Sequence, residues 1–252
     1  DVSSYGGTGV TQGDNGYGIR ISMYYPYDTD EGIVSGGIDN GRRGIGRYQL
    51  LLTNAELSNP FRQLYRGLEK ANLCIEQIPL MTQYSSGSAS DQAILKRLHG
   101  EALVLRAQYL YQLILNWGDV PAPMVPAYKL ADLFIPKSDR DSVYDQLLSD
   151  LQTAKGLLPW RTDAGARSER ITKGVAMALR ARLALFRGGY SLRSNGQMER
   201  RSDYLTYYNI AKQECEELMA RRDQHTLNPN YENIWRNVTS FTYDPQAEII
   251  WE

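Results

Sequence analysis

Histidine and cysteine are scarce, with two of each among 252 residues. Imidazole and thiolate are frequent metal ligands, bases and nucleophiles, so their scarcity weakens enzymatic readings from the outset. His99 falls inside a helical pattern and His225 inside "RRDQHTLNP", neither with a ligand-spaced partner, and no metal or cofactor is expected. Cys74 and Cys215 both fall in predicted helices and read as small apolar thiols, not as a disulfide framework. A dominant charge is missing too: 28 Lys+Arg against 29 Asp+Glu leave −1, which is no field for nucleic acid or an anionic membrane. The longest apolar run, 102–117, is interrupted by Arg106, Gln108 and Gln112 and falls short of the about 20 residues of a membrane span. No charged and apolar leader and no lipidation cysteine precedes Asp1, so any export signal lies outside this sequence. Phenylalanine is sparse, at 4, whereas tyrosine reaches 18. A ring with a polar tip suits wet interfaces.

Residues 1–58 are rich in Gly, Ser, Asn, Asp and Tyr, as in "YGGTGVTQGDNGYG" and "SGGIDNGRRGIG", and carry no sustained period. They read as a long, elaborated loop region. From 59 the pattern turns helical. Asn59 and Pro60 read as cap and first turn of a helix ending at Pro79, and "TQYSSGSAS" reads as a linker to a second helix over roughly 90–117. A third helix, capped by Ser138 or a neighbour, ends at Pro159, and a fourth starts at Thr172 and stops at Gly188 and Gly189. Gly174, Ala176, Ala178, Ala181 and Ala184 keep that fourth helix smooth enough for close packing. A fifth spans about 203–222. The expected fold is all-α: a tetratricopeptide-like helical repeat scaffold over 59–222 with irregular insertions, followed by a connecting segment at 223–252.

The second helix, "GEALVLRAQYLYQLILNWGDVPAP", is the most informative. On a 3.6-residue wheel Leu98, Ala102, Leu105, Tyr109, Leu113 and Asn116 form one stripe, with Leu103, Leu110 and Ile114 beside it and only Arg97, Glu101, Gln108 and Gln112 as a polar strip. Arg106 lies among the apolar positions, so a carboxylate or a set of carbonyls should meet it. Gly118 supplies a left-handed stop, and Pro121 and Pro123 prevent the helix from resuming.

These residues closely resemble the Gly-Glu-Ala-x-x-Leu-Arg-Ala-x-x-Tyr…Gly-Asp-Val-Pro pattern of the SusD/RagB family. Four further stretches follow in family order: "YDTDEG" at 27–32, "LYRGLEKANLCIEQIP" at 64–79, "DSVYDQLLSDLQTAKGLLP" at 141–159 and "RITKGVAMALRARLALFRG" at 170–188. The closing "YENIWRNVTSFTYDPQAEIIWE" is similar to the segment leading into the second half of such proteins, which are about twice this length. The resemblance implies a Bacteroidetes surface glycan-binding lipoprotein with a four-repeat helical scaffold. It also implies lipid anchoring at the extracellular face of the outer membrane and a SusC-like TonB-dependent transporter as partner. Gly118, Asp119 and Pro121 then belong to the structural exit of the motif, with Arg106.

Enzymatic readings fare poorly. "GRRGIG" lacks the strand before it and the helix after it that a phosphate-cradling loop requires. Asp28, Asp30 and Glu31 resemble paired glycosidase carboxylates only by proximity in sequence, and turn-making explains them better. Binding has the stronger physical case, because sugars offer C–H faces to aromatic rings and hydroxyls to Asn, Asp and Arg. Tyr24, Tyr25, Tyr27 and Tyr48 stand beside Asp28, Asp30, Asn40, Arg42, Arg43 and Asn54, ahead of the helical scaffold. The resemblance maps glycan contacts partly to 32–58, where Tyr48 is the only aromatic. Tyr27, Arg43, Tyr48 and Asn54 are the candidate ligand-binding residues. Two other readings remain open, an oligopeptide-capturing subunit of the same kind of transporter and a tetratricopeptide-type adaptor.

Overall fold

The computed structural model describes residues 29–30, 32, 36–37, 41–49, 51, 53–164 and 170–251. The chain divides into two compact units, 1–67 and 68–252. The first contains a short helix α1 (Arg42–Gly46) and the beginning of α2 (Ala55–Gln77). The second runs on through α3 (Thr82–Ser86), α4 (Ala89–Trp117), α5 (Arg140–Leu157), α6 (Arg161–Ala164) and α7 (Lys173–Gly188). A hairpin of β1 (Ser191–Leu192) and β2 (Met198–Glu199) follows, then α8 (Tyr204–Ala220) and α9 (Tyr231–Thr239). The fold is all-α in the main, as expected. Among the described residues no helix is long and apolar enough to cross a membrane.

Within the second unit α4 packs on α5, α5 on α7 and α7 on α8. Small residues set the approach and report the direction. A Cβ on Gly100, early in α4, would meet Leu158 just past the end of α5 at 2.8 Å, while Gly118 at the end of α4 lies against Arg140 at the start of α5. The two helices are therefore antiparallel. Gly174 against His225 and Gly188 against the Tyr208 ring say the same of α7 and α8. Val104, Leu110, Leu113, Leu147, Leu151, Met177 and Leu183 fill the space between them, all essentially inaccessible.

Several boundaries differ from expectation for physical reasons. Helix α2 starts at Ala55, so Pro60 sits inside it rather than at its first turn. The missing amide of Pro60 leaves only the Glu56 carbonyl without its helical donor, a small loss so near the end. The expected linker "TQYSSGSAS" folds its first five residues into α3. Ser88 caps α4 by accepting from the Asp91 amide at 3.1 Å, and the cap of α5 is Asp139, on the Asp141 amide at 2.7 Å. In α4, Gln108 is buried, whereas Leu105 and Tyr109 are partly exposed and Leu115 is exposed, so the enclosed face is rotated from the wheel assignment. Cys74 and Cys215 are unpaired, and both are exposed instead of lining the core.

Arg106 is 5% exposed. Its Nε donates to Asp150 at 2.8 Å, and Nη1 reaches the Met124 carbonyl at 2.9 Å and Asn72 Oδ1 at 3.3 Å. The Asn72 amide in turn donates to the carbonyls of Pro123 and Val125. The buried charge thus pins the chain that leaves α4 through "GDVPAP". Gly118 makes the exit at φ +73 and ψ −129, a positive-φ conformation outside the left-handed helical region, which only glycine enters readily. Asp119 accepts from Arg140 Nε at 2.7 Å, and Pro121 carries the strand of chain away.

Other buried charges tie the remaining helices. Glu214 of α8 is 3% exposed and accepts from Lys155 of α5 and Arg180 of α7. Arg187 spans Asp145 and Asp203. Asp141 takes Arg193 Nη1 at 2.7 Å and Arg201 Nε at 2.8 Å. Burial alone raises the Asp141 carboxyl, but these guanidinium hydrogen bonds more than offset it and hold it below the usual carboxylate range.

After α8 the chain folds back on itself. Thr226 N donates to the Gln246 carbonyl at 3.0 Å and Asn228 N to Glu248 at 2.6 Å, while the buried Asp244 collects Asn228 Nδ2, Gln246 N and Glu248 N. This neck closes the base of an excursion that carries α9, an element that the Asn- and Thr-rich sequence did not announce.

Both histidines favour their neutral forms. Burial depresses His99, helped by the Arg106 charge and opposed by Asp150. Burial also depresses His225, against the hydrogen bond to the Ala247 carbonyl and with the Arg161 charge. Each folded-state pKa lies below the unfolded value of about 6.5, so this stability is complete above that pH and is lost as pH falls through the window beneath it. Thermal midpoints should therefore decline on acidification from pH 7 toward 5, and a His99→Gln/His225→Gln double variant should show a flatter decline. Equal slopes for both proteins would contradict the assignment.

Candidate functional site

The first unit places three of the four candidate ligand residues around α1. Tyr27 lies outside the described residues, as do Tyr24, Tyr25, Asp28, Glu31 and Asn40. Helix α1 is one turn of "RRGIG" closed by a paired hydrogen bond: Tyr48 N reaches the Ile45 carbonyl at 3.1 Å, and Gln49 N reaches the Gly44 carbonyl at 2.9 Å. That pattern is a Schellman cap, and its C′ position needs positive φ and normally takes glycine. Here it holds Tyr48, at φ +52. A side chain in this conformation costs about 1 kcal/mol or more, so the ring is presented to solvent at the expense of local stability. Tyr48 is 70% exposed.

Two arginines fix the same turn. Gly36 has φ +92, and a Cβ there would meet the Arg43 guanidinium at 3.0 Å, so Arg43 lies across bare backbone. Arg47 Nη2 donates to the Gly36 carbonyl at 2.9 Å. Arg43 and Tyr48 are both exposed on this one-turn scaffold, offering a guanidinium and an aromatic face. Arg47 and Gly36 were not singled out in the sequence. The signal was there, since a glycine pair followed by "RRGIGR" marks positive-φ backbone close to cations.

Asn54 corrects the sequence reading. It is 2% exposed, its Nδ2 donates to the Gly41 carbonyl at 3.0 Å, and its own carbonyl accepts from Leu57 N at the start of α2. A buried amide so engaged fastens the loop and has no surface to offer a ligand. Asp30 is exposed. An exposed aromatic ring beside an arginine has the chemical character that suits a polyhydroxylated molecule.

Comparison with known proteins adds the following. A family model described as SusD-like, starch-binding and associating with the outer membrane, matches residues 45–185, more than half of the chain. No curated protein sequence matches. Among solved structures, the chain is similar to a SusD homologue from Bacteroides thetaiotaomicron at 23% identity and a TM-score of 0.71, covering 84% of this chain and 38% of that one. It is similar to a laminarin-binding SusD-like protein at 22% identity and 0.64, over 90% and 45% of the two chains. A structure with xylogluco-oligosaccharide matches at 20% identity and 0.57, over 74% and 34%. At these identities the likeness is one of fold. The chain spans less than half the length of each of these relatives.

Proposed function

The chain belongs to the SusD/RagB family, and on that premise we propose that it captures extracellular glycans at the outer face of the outer membrane and hands them on chemically unchanged. The match to a starch-binding family over residues 45–185, which includes Tyr48, carries this reading. The exposed, strained Tyr48 beside Arg43 supports it, because an aromatic at a glycine position sacrifices stability for a surface. The family's association with the outer membrane supports a lipid-anchored protein working with a SusC-like TonB-dependent transporter.

Incubation with starch-type and laminarin-type oligosaccharides should give binding without shortened products. A pool of oligopeptides screened in parallel should not bind, and peptide binding in place of glycan binding, or any glycan cleavage, would sink the proposal. Tyr48→Gly should weaken glycan affinity by about 1–2 kcal/mol through loss of stacking. Its melting temperature should hold or rise, since glycine relaxes the positive φ. Unchanged affinity would return Tyr48 to a purely structural role.

A further inference from the structure

Strands β1 and β2 pair with Ser191 opposite Glu199 and Leu192 opposite Met198. Alternation then puts Tyr190, Leu192, Met198 and Arg200 on one face of the hairpin and Arg193 on the other. Arg193 is buried against Asp141. The opposite face is open: Tyr190 is 63%, Leu192 56% and Met198 61% exposed.

On that open face the Arg200 guanidinium is held between two rings, 3.6 Å from the Tyr204 centroid and 5.0 Å from that of Tyr190. Each arginine around it has carboxylates of its own. Arg187 takes Asp145 and Asp203, Arg193 takes Asp141, and Arg201 takes Asp139 and Asp141. Among the described residues no carboxylate pairs with Arg200. Stacking satisfies the faces of a guanidinium but none of its N–H donors, which lie in its plane and point outward in a fork matched to a carboxylate. The acids nearby are already engaged, so the N–H fork of Arg200 stands open to an acceptor from outside the chain.

We propose that Tyr190, Arg200 and Tyr204 form a second saccharide subsite, specific for sugars that carry a carboxylate, of the uronate class. The exposed Tyr190 ring and its apolar neighbours Leu192 and Met198 receive the C–H face of such a sugar, and the Arg200 fork receives its carboxylate. This inference rests on the glycan-binding reading above but uses other residues, in the second unit of the chain.

The test is calorimetric titration of the whole protein with oligogalacturonate, with a neutral oligoglucan of equal length and with an acidic peptide such as oligoglutamate. Oligogalacturonate should bind, more weakly in about 300 mM than in about 50 mM salt. Arg200→Gln should lower that affinity by about tenfold or more, because a charge-assisted hydrogen-bonded pair is lost. Tyr190→Ala, at an exposed position with little risk to folding, should weaken it as well. Neutral oligoglucan binding and its dependence on Tyr48 should not change in either variant. Absence of oligogalacturonate binding while neutral glycans bind through Tyr48 overturns the subsite alone. Absence of binding by either glycan overturns the parent reading with it. Oligoglutamate competing equally well, or affinity indifferent to both substitutions, overturns the saccharide assignment.

Discussion

Arg106→Ala is expected to lower the unfolding free energy by about 3 kcal/mol, the usual consequence of leaving one partner of a buried ion pair behind. Asp150 is 5% exposed and, among the described residues, would retain the Gln146 amide alone, at 2.9 Å. The Met124 carbonyl would lose its donor as well, and with it one of the ties on the chain leaving α4. Urea denaturation measures the effect, with Lys212→Ala as an exposed control expected to stay within about 0.5 kcal/mol. Replacing both members by apolar residues, Arg106→Met with Asp150→Leu, should recover much of the loss, because the penalty is an orphaned charge more than a missing attraction. A midpoint for Arg106→Ala equal to that of the control would overturn the assignment.

Glu214→Ala should be of similar size, about 3 kcal/mol, through the opposite charge. Its removal leaves Arg180 without its carboxylate and Lys155 with only the more exposed Glu217, both cations being largely buried between helices. Glu214→Gln keeps the shape and an acceptor, so it should lose less. Thermal unfolding of the two variants beside Glu216→Ala, which removes a surface pair, separates the cases. Equal melting for Glu214→Ala and Glu216→Ala would contradict the role given to Glu214.

These two residues mark what could be read in advance. Arg106 stood out because every neighbour on its helical wheel was apolar, so a charge there demanded a partner. Glu214 sits in "KQECEELM", where Gln213, Glu216 and Glu217 close by disguise which polar residue faces inward. Only the cations brought by α5 and α7 select it. Periodicity located the long helices, yet it placed Gln108 on the solvent side and Leu105 inside, whereas Gln108 is buried and Leu105 partly exposed, because a wheel drawn from apolar residues does not show which side of a nearly all-apolar helix its neighbours cover. The resemblance in motif order reached the family and the fold. It did not separate Tyr48 from Asn54: Asn precedes a helix equally well as a loop fastener or as a ligand contact, and burial alone distinguishes the two.

The neck below α9 has a consequence for sequence length. Thr226, Asn228, Asp244 and Glu248 hold its two ends together independently of what lies between them. The entropy of closing such a loop grows only with the logarithm of its length. Residues 229–242 are therefore a place where insertions and deletions are cheap for the scaffold, and where related chains are free to differ in size while the stack of α4, α5, α7 and α8 stays the same.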